Sequence, residues 1–235
     1  MKFTKVFAVI ILLVILHSFS VQSQVPVLGS EVLLDKLRLN KAANGNETTL
    51  YADINGNPYL FKEFKKGQLF LNSGEKFEVL VRYDMYANEM NLKNKGEVYA
   101  IIYPEKVKSI DVDSLKFIYS PFVNSAGEEP AKVGGYFIVK TDGKCKLLVK
   151  KNVRIQDAEL PKLYVDAKPA KFIPSNDTFY LKLNEKNAIK IRNENDLLSI
   201  LGDQKALVTR FIKENRLGAK KVEDLSRIIK YYNGL

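Results

Sequence analysis

The sequence predicts an α+β protein: an antiparallel β-roll or barrel-like sheet followed by about three short C-terminal helices. Two periodicities and one set of breaks carry this reading. From about Pro58 to Arg192 apolar residues recur at every second position, the spacing of a strand with one buried face. From Asn193 they recur every three or four residues, the spacing of an amphipathic helix. The breaks between the alternating runs are hairpin chemistry, and no βαβ rhythm is present.

The first element is not part of that fold. Lys2 and Lys5 precede an unbroken apolar run from Val6 to Leu16, the pattern of a signal peptide. The run falls well short of the roughly 20 apolar residues a membrane-crossing helix needs. Val21 and Ser23 are small enough to stand at −3 and −1 of a signal-peptidase site, so residues 1–23 read as a signal peptide and Gln24 as the mature N-terminus; cleavage after Ser20 is the second choice. The expectation is an exported chain with no transmembrane helix after cleavage, residing in the periplasm, at the periphery of the outer membrane or outside the cell.

Residues 24–57 read as an N-terminal arm, with Ser30 able to cap one short helix and turn signals at Asn44-Gly-Asn46 and Asn55-Gly-Asn-Pro58. Residues 58–192 are the β-rich domain. Phe77, Val79, Val81 and Tyr83 alternate with Glu78, Leu80, Arg82 and Asp84. Further runs centre on Met90 and Leu92, on Tyr99, Ile101 and Tyr103, on Phe137 and Val139, on Cys145, Leu147 and Val149, and on Phe179, Leu181 and Leu183. Turns are expected at Asn72–Glu75, Asn94–Glu97 and Thr141–Lys144, with Asp142-Gly143 suited to a type I′ turn. Ser120–Gly135 and Asp157–Pro174, rich in Pro and Gly or in Pro, read as long loops. Residues 193–235 are a helical segment expected to pack on the β domain. Asn193 caps a helix through Leu201, Asp203 caps a second that ends at Gly218, and a third runs from Lys220 to Tyr232.

Composition narrows the chemistry. Thirty-seven Lys and Arg against 27 Asp and Glu give a net charge of +10, which favours acidic partners or simple solubility. The only histidine, His17, lies in the signal peptide, so the mature chain has no imidazole for a Ser-His-Asp or Cys-His pair or for the usual zinc sites. The single cysteine, Cys145, alternates with Leu147 and Val149 and reads as a buried strand residue rather than a reactive thiol. Ser73-Gly-Glu-Lys76 matches S-x-x-K by letter but falls in a hairpin turn, not at a helix N-terminus. Asp53-Ile-Asn-Gly-Asn57 starts like a calcium loop, yet Phe64 stands where the bidentate Glu belongs. Asp111 with Asp113, and Glu128 with Glu129, are the carboxylate pairs available to a His-independent hydrolase. No cofactor, no metal site and no catalytic residue is expected.

The basic hairpin is the most suggestive feature. Lys140, Lys144, Lys146, Lys150, Lys151 and Arg154 face the single acid Asp142, and Lys144, Lys146 and Lys150 share one face of a strand. That pattern suits polyanion binding, or an edge strand guarded by lysines. No aromatics interleave regularly with these lysines, so a nucleic-acid platform is not expected.

Arg82-Tyr-Asp-Met-Tyr-Ala-Asn-Glu-Met90, Tyr99-Ala-Ile-Ile-Tyr-Pro104, Phe117-Ile-Tyr119, Gly135-Tyr-Phe-Ile-Val139 and the ending Ile228-Ile-Lys-Tyr-Tyr-Asn-Gly-Leu235 resemble a group of exported proteins of the Bacteroidota without an established activity. The resemblance covers about Asn57 to the C-terminus. It implies a Gram-negative envelope location and nothing about chemistry. In that setting Asp113-Ser-Leu115 is similar to the acceptor of envelope O-glycosylation, with Ser114 as the modified residue. The resulting expectation is a non-catalytic envelope protein that binds or scaffolds a partner protein or an anionic glycan. Tyr83, Tyr86, Tyr99 and Tyr103, with Lys144, Lys146 and Lys150, are its candidate contacts. The alternative is a glycan hydrolase using a carboxylate pair.

Overall fold

The alternating runs become strands because each has one apolar side to hide. In the computed structural model they form one twelve-stranded sheet with three helices near the C-terminus. The structure describes residues 40–41, 51–124, 129, 134–161, 163 and 166–235. The signal-peptide reading, the arm up to residue 50 apart from residues 40–41, and Glu128 lie outside them.

The strands are β1 (Asn40–Lys41), β2 (Lys65–Leu71), β3 (Lys76–Asp84), β4 (Glu89–Asn94), β5 (Glu97–Ala100), β6 (Val107–Val112), β7 (Leu115–Ser120), β8 (Phe122–Val123), β9 (Gly135–Thr141), β10 (Cys145–Gln156), β11 (Lys171–Leu183) and β12 (Ala188–Ile191). Their spatial order is β1-β5-β4-β3-β2-β6-β7-β9-β10-β11-β12-β8. All neighbours are antiparallel except β12 and β8. The sheet does not close. Its later half nevertheless curls back: β8 continues β7 after Pro121, and Ala188 and Ile189 of β12 pair with Phe122 and Val123.

Turn chemistry explains most reversals. Lys95 and Gly96 both have positive φ, 47° and 87°, the type I′ geometry that matches strand twist. At Asp142-Gly143 the expected I′ turn is not formed, because only Gly143 has positive φ, at 142°. The reason is tertiary. A Cβ at Gly143 would lie 2.5 Å from Nδ2 of Asn233, so this turn is shaped to receive a helix end. The loop expected at Ser120–Gly135 is shorter than read: Ser120 ends β7, Phe122–Val123 pair with β12, and Gly134 and Gly135 are buried. Lys171–Pro174 likewise belong to β11, where Pro174 pairs with Val153.

One face of the sheet carries two apolar clusters. Leu69, Phe77, Val81, Tyr83, Leu92, Ile110, Phe117 and Ile138 bury each other where the earlier strands curl. On the later strands Leu147, Leu181 and Ile191 are covered by α1 (Glu194–Ile200), α2 (Lys205–Asn215) and α3 (Val222–Asn233). α1 starts as the sequence indicates, with Asn193 Oδ1 accepting the Asp196 N–H at 3.0 Å. Asp203 does not cap α2. It accepts the Tyr232 hydroxyl at 2.9 Å, and Gln204 takes the cap position without a side-chain bond. Arg216, at φ 53°, ends α2 in the left-handed conformation, before Gly218 is reached. Asn233 pins α3 to the sheet: its Oδ1 accepts the Cys145 N–H at 2.8 Å, and its Nδ2 donates to the Cys145 and Asp142 carbonyls at 2.9 and 3.3 Å. Among the described residues no helix is long and apolar enough to cross a membrane.

Candidate functional site

Period two decides which side chains reach the other face of β10. With Leu147 under the helices and Val149 buried on the same side of the strand, Lys146, Leu148 and Lys150 stand on the opposite side. The register then adds neighbours from other strands. Lys146 pairs with Lys182, Leu148 with Val139 and Tyr180, Lys150 with Thr178, and Tyr180 with Lys190. Beneath the lysines lies a third apolar cluster of Phe137, Leu148, Tyr180 and Ala188, with Ile118, Phe122 and Val139 against it. Its rings meet edge to face: Phe137–Tyr180 centroids are 4.9 Å apart, Phe122–Tyr180 5.6 Å and Phe122–Phe137 5.9 Å.

The ammonium groups of the hairpin and its neighbours are not equivalent, and Lys144 turns toward the helices instead of sharing a face with Lys146 and Lys150. Asp142 neutralises Lys146 and also accepts from Lys116 at 3.3 Å. Lys151 pairs with Asp177 at 2.7 Å, and Lys144 lies 3.7 Å from Asp203 with its ammonium 4.4 Å from the Tyr232 ring centroid. Lys182 Nζ donates to the Lys186 carbonyl at 2.7 Å. Lys150 has none of these. Its Nζ sits 5.2 Å from the Phe122 ring centroid, and among the described residues no carboxylate forms an ion pair with it or with Lys190. Burial lowers the Lys150 pKa, and the neighbouring Lys190 charge lowers it further. Lys182 is lowered too, first by burial, with Lys146 adding to it and Glu185 opposing it.

The edge-guard reading of these lysines fails at Lys146 but not along the whole strand. β10 pairs with β11 along nearly its whole length and with β9 only over Leu147–Val149, so the strand beyond Val149, with Lys150, Lys151 and Arg154, has one edge without a β9 partner. The hairpin's charges also divide: Lys144, Lys146 and Lys151 have acidic partners, and Lys150 is left with Lys190. Lys182 and Lys190 escaped the sequence reading because only register places Lys182 beside β10 and Lys190 beyond Tyr180 of β11. Their positions in the alternation, between Leu181 and Leu183 and next to Ile191, were the available signal.

The four tyrosines do not converge. Tyr83 is 1% exposed; its hydroxyl donates to Asn88 Oδ1 at 2.9 Å, and burial pushes its pKa upward. Tyr86 is exposed and packs edge-on to Tyr51 and Phe172, with centroids 6.0 and 5.5 Å away. Tyr99 donates to Glu97 at 2.8 Å, a bond that raises its pKa, and Tyr103 lies under Lys106. Cys145 is fully buried, and burial pushes its thiol up to about 12. Ser114 stands exposed in the two-residue turn between β6 and β7, next to Asp113, whose carboxylate is 3.7 Å from Lys65.

Asp111 and Asp113 line a groove of about 770 Å³ on the polar face of the earlier strands, with Glu78, Gln68, Lys66 and Lys93. Gln68 pairs with Glu78 on one side and Asp111 on the other. Two strand spacings put these carboxylate residues about 10 Å apart at Cα. Among the described residues no group of three or more His, Cys, Asp or Glu side chains gathers as a metal site would. No protein-family model, no curated protein and no solved structure matches the chain.

Proposed function

We propose that this chain is an exported, non-catalytic envelope protein that binds an anionic ligand, an anionic glycan first among the candidates, on the face built around Lys150 and Lys190. The observation that carries the reading is an unneutralised pair. Two ammonium groups repel each other over an apolar floor, and burial costs one of them part of its hydration. Such an arrangement destabilises the folded chain unless a counter-charge arrives. A sulfate or carboxylate placed between the two amines supplies it, and the apolar floor strengthens the attraction by lowering the local dielectric. Lys146 and Lys182 extend the basic face along β10 and β11 for a polymeric ligand.

The signal-like N-terminus supports export, and the absence of histidine after residue 17 supports a binding role over imidazole chemistry. The carboxylate-hydrolase reading has one observation in its favour, the spacing of Glu78 and Asp111. Those side chains stand side by side on one pleated face with Gln68 between them. Glycoside hydrolysis needs two carboxylates that flank the scissile bond, so binding is the better account.

The test uses sulfated dextran and polygalacturonate, with neutral dextran as control. A Lys150→Ala/Lys190→Ala double variant should lose about tenfold or more in affinity, the scale of one lost charge-assisted contact. Lys213→Ala/Lys220→Ala removes the same charge from exposed positions, one on α2 and one in the bend before α3, and should cost about twofold or less through the long-range field alone. Equal losses in the two variants would reduce the effect to net charge and defeat the proposal.

A further inference from the structure

We propose a second binding site, independent of the Lys150 face: the groove of about 770 Å³ over β2, β3, β4 and β6 takes a free dipeptide, with its ammonium at Glu78 and its carboxylate between Lys66 and Lys93. Register lays the floor of the groove out in two rows across the strands. In the first, Gln68 pairs with Glu78 on one side and Asp111 on the other. In the second, two residues along, Leu80 pairs with Lys66 on one side and Lys93 on the other. Each row carries two like charges with a neutral side chain between them, and the two rows have opposite signs.

These charges do not cancel one another. Opposite charges at diagonal positions on neighbouring strands of one face are close enough to pair. Among the described residues, however, Lys66, Glu78, Lys93 and Asp111 form no ion pair. The other charges of the lining do not stand in for a partner: Asp113 is paired with Lys65 at 3.7 Å, and Lys95, in the turn after β4, forms no ion pair with Glu78. The Lys93 ammonium lies 5.3 Å from the Phe64 ring centroid. Glu78 and Lys66 are exposed and open to a ligand. Asp111 is half-buried, with one oxygen enclosed and without a hydrogen-bond partner among the described residues, so it acts on the groove through its field rather than by contact.

The spacing of the rows selects the ligand. Two residues of antiparallel strand rise about 6.8 Å, and two residues of extended peptide span about 7 Å from N- to C-terminus. A dipeptide laid along β3 sets its ammonium on Glu78, in the field of Asp111, and its carboxylate between the Lys66 and Lys93 ammonium groups. Gln68 carries both a donor and an acceptor for the polar end of the ligand. Leu80, 40% exposed between the two lysines, is the apolar contact for an aliphatic C-terminal side chain. The volume falls in the range of small-molecule pockets and leaves room for larger side chains. A single amino acid holds its two charges too close together to serve both rows, and a tripeptide carries them one residue too far apart.

The probe is L-alanyl-L-leucine, titrated at low ionic strength and followed by chemical-shift changes of the amides at residues 66–68, 78–80 and 93–95. N-acetyl-alanyl-leucine, alanyl-leucine amide, leucine and alanyl-alanyl-leucine are the comparisons. The dipeptide should bind saturably, and each comparison should be weaker by about fivefold or more, the scale of one solvent-exposed ion pair. Glu78→Gln should weaken the dipeptide by about fivefold and leave the acetylated form unchanged. Lys66→Ala/Lys93→Ala should weaken the dipeptide and leave the amide form unchanged. A general effect of net charge does not couple one end of the ligand to one row. Should the double lysine variant fold poorly, Lys66→Ala alone, at an exposed position, gives the same reading. Lys150→Ala/Lys190→Ala should leave dipeptide binding unchanged, so failure here and failure of the anion-binding face are told apart. No saturable binding of the dipeptide, equal binding of the acetylated or amidated form, or a Glu78→Gln loss that is the same for the free and the acetylated peptide overturns the site.

Discussion

Replacing Ile229 by Ala tests whether the C-terminal helices belong to the fold. Ile229 is fully buried on α3 beside Leu225, Ile228 and Tyr232, in the cluster that covers Leu147 and Leu181 of the sheet. Large-to-small core changes of this kind cost about 2–5 kcal/mol, with the upper values at sites that cannot collapse around the void. Collapse is restricted here. Asn233 ties the end of α3 to Cys145, and Tyr232 ties it to Asp203. We therefore expect about 3–4 kcal/mol, or a fall in melting temperature of about 10 °C for a chain of this size. Urea and thermal unfolding followed by far-ultraviolet circular dichroism read both quantities. Amide exchange over residues 205–233 should be slow in the parent chain and should quicken in the variant. A melting temperature within about 1 °C of the parent, with fast exchange across those residues in both chains, would show that the helices do not dock and that the second cluster is wrongly described.

Lys150→Met removes a desolvated charge that faces Lys190 and should raise the melting temperature while weakening anion binding. The Lys150 pKa is lowered in the fold, so the unfolded chain holds its proton more tightly; parent stability should rise with pH between that lowered value and the ordinary lysine value, and this part of the rise should vanish in the variant. Asn233→Ala strips the backbone of Cys145 of its side-chain partner at both N–H and C=O and should cost about 1–3 kcal/mol, read by urea titration. Cys145 should resist iodoacetamide in the folded chain and react on unfolding, since both burial and a thiol pushed up to about 12 keep the thiolate scarce; fast labelling at neutral pH without unfolding would contradict its placement. Intact mass of exported protein should lack residues 1–23, and a product still carrying Met1 would refute the signal-peptide reading.

Local rules reached far in this chain where one strand or helix decides the outcome. The alternation at Phe77, Val79, Val81 and Tyr83 specifies β3, and Asn193 caps α1 as its side chain requires. Partners distant in sequence changed the rest. Arg82 and Asp84 occupy polar positions of the alternation yet are buried, because Tyr59 and Phe64 lie over the Arg82 guanidinium at 3.6 and 4.3 Å and Tyr51 donates to Asp84 at 3.0 Å. Asp203 had the right identity for a helix cap, but Tyr232 claimed its carboxylate. The basic hairpin was visible as a cluster of charges. Whether it guarded an edge depended on what lay beside β10, and that is a property of the sheet order. The proposed anion-binding face needs Lys190 from β12, and no spacing within one segment encodes that juxtaposition.

The most direct measurement is the titration of the Lys150 amine itself, followed by NMR with and without a saturating sulfated oligosaccharide. In the free protein its pKa should lie below the ordinary lysine value, because burial and Lys190 disfavour its charge. An anion between the two amines favours the protonated form, so the bound protein should show the Lys150 value moved upward toward the ordinary lysine range. An unchanged Lys150 pKa in a complex that demonstrably forms would mean that the ligand sits elsewhere, and the proposed face would have to be abandoned.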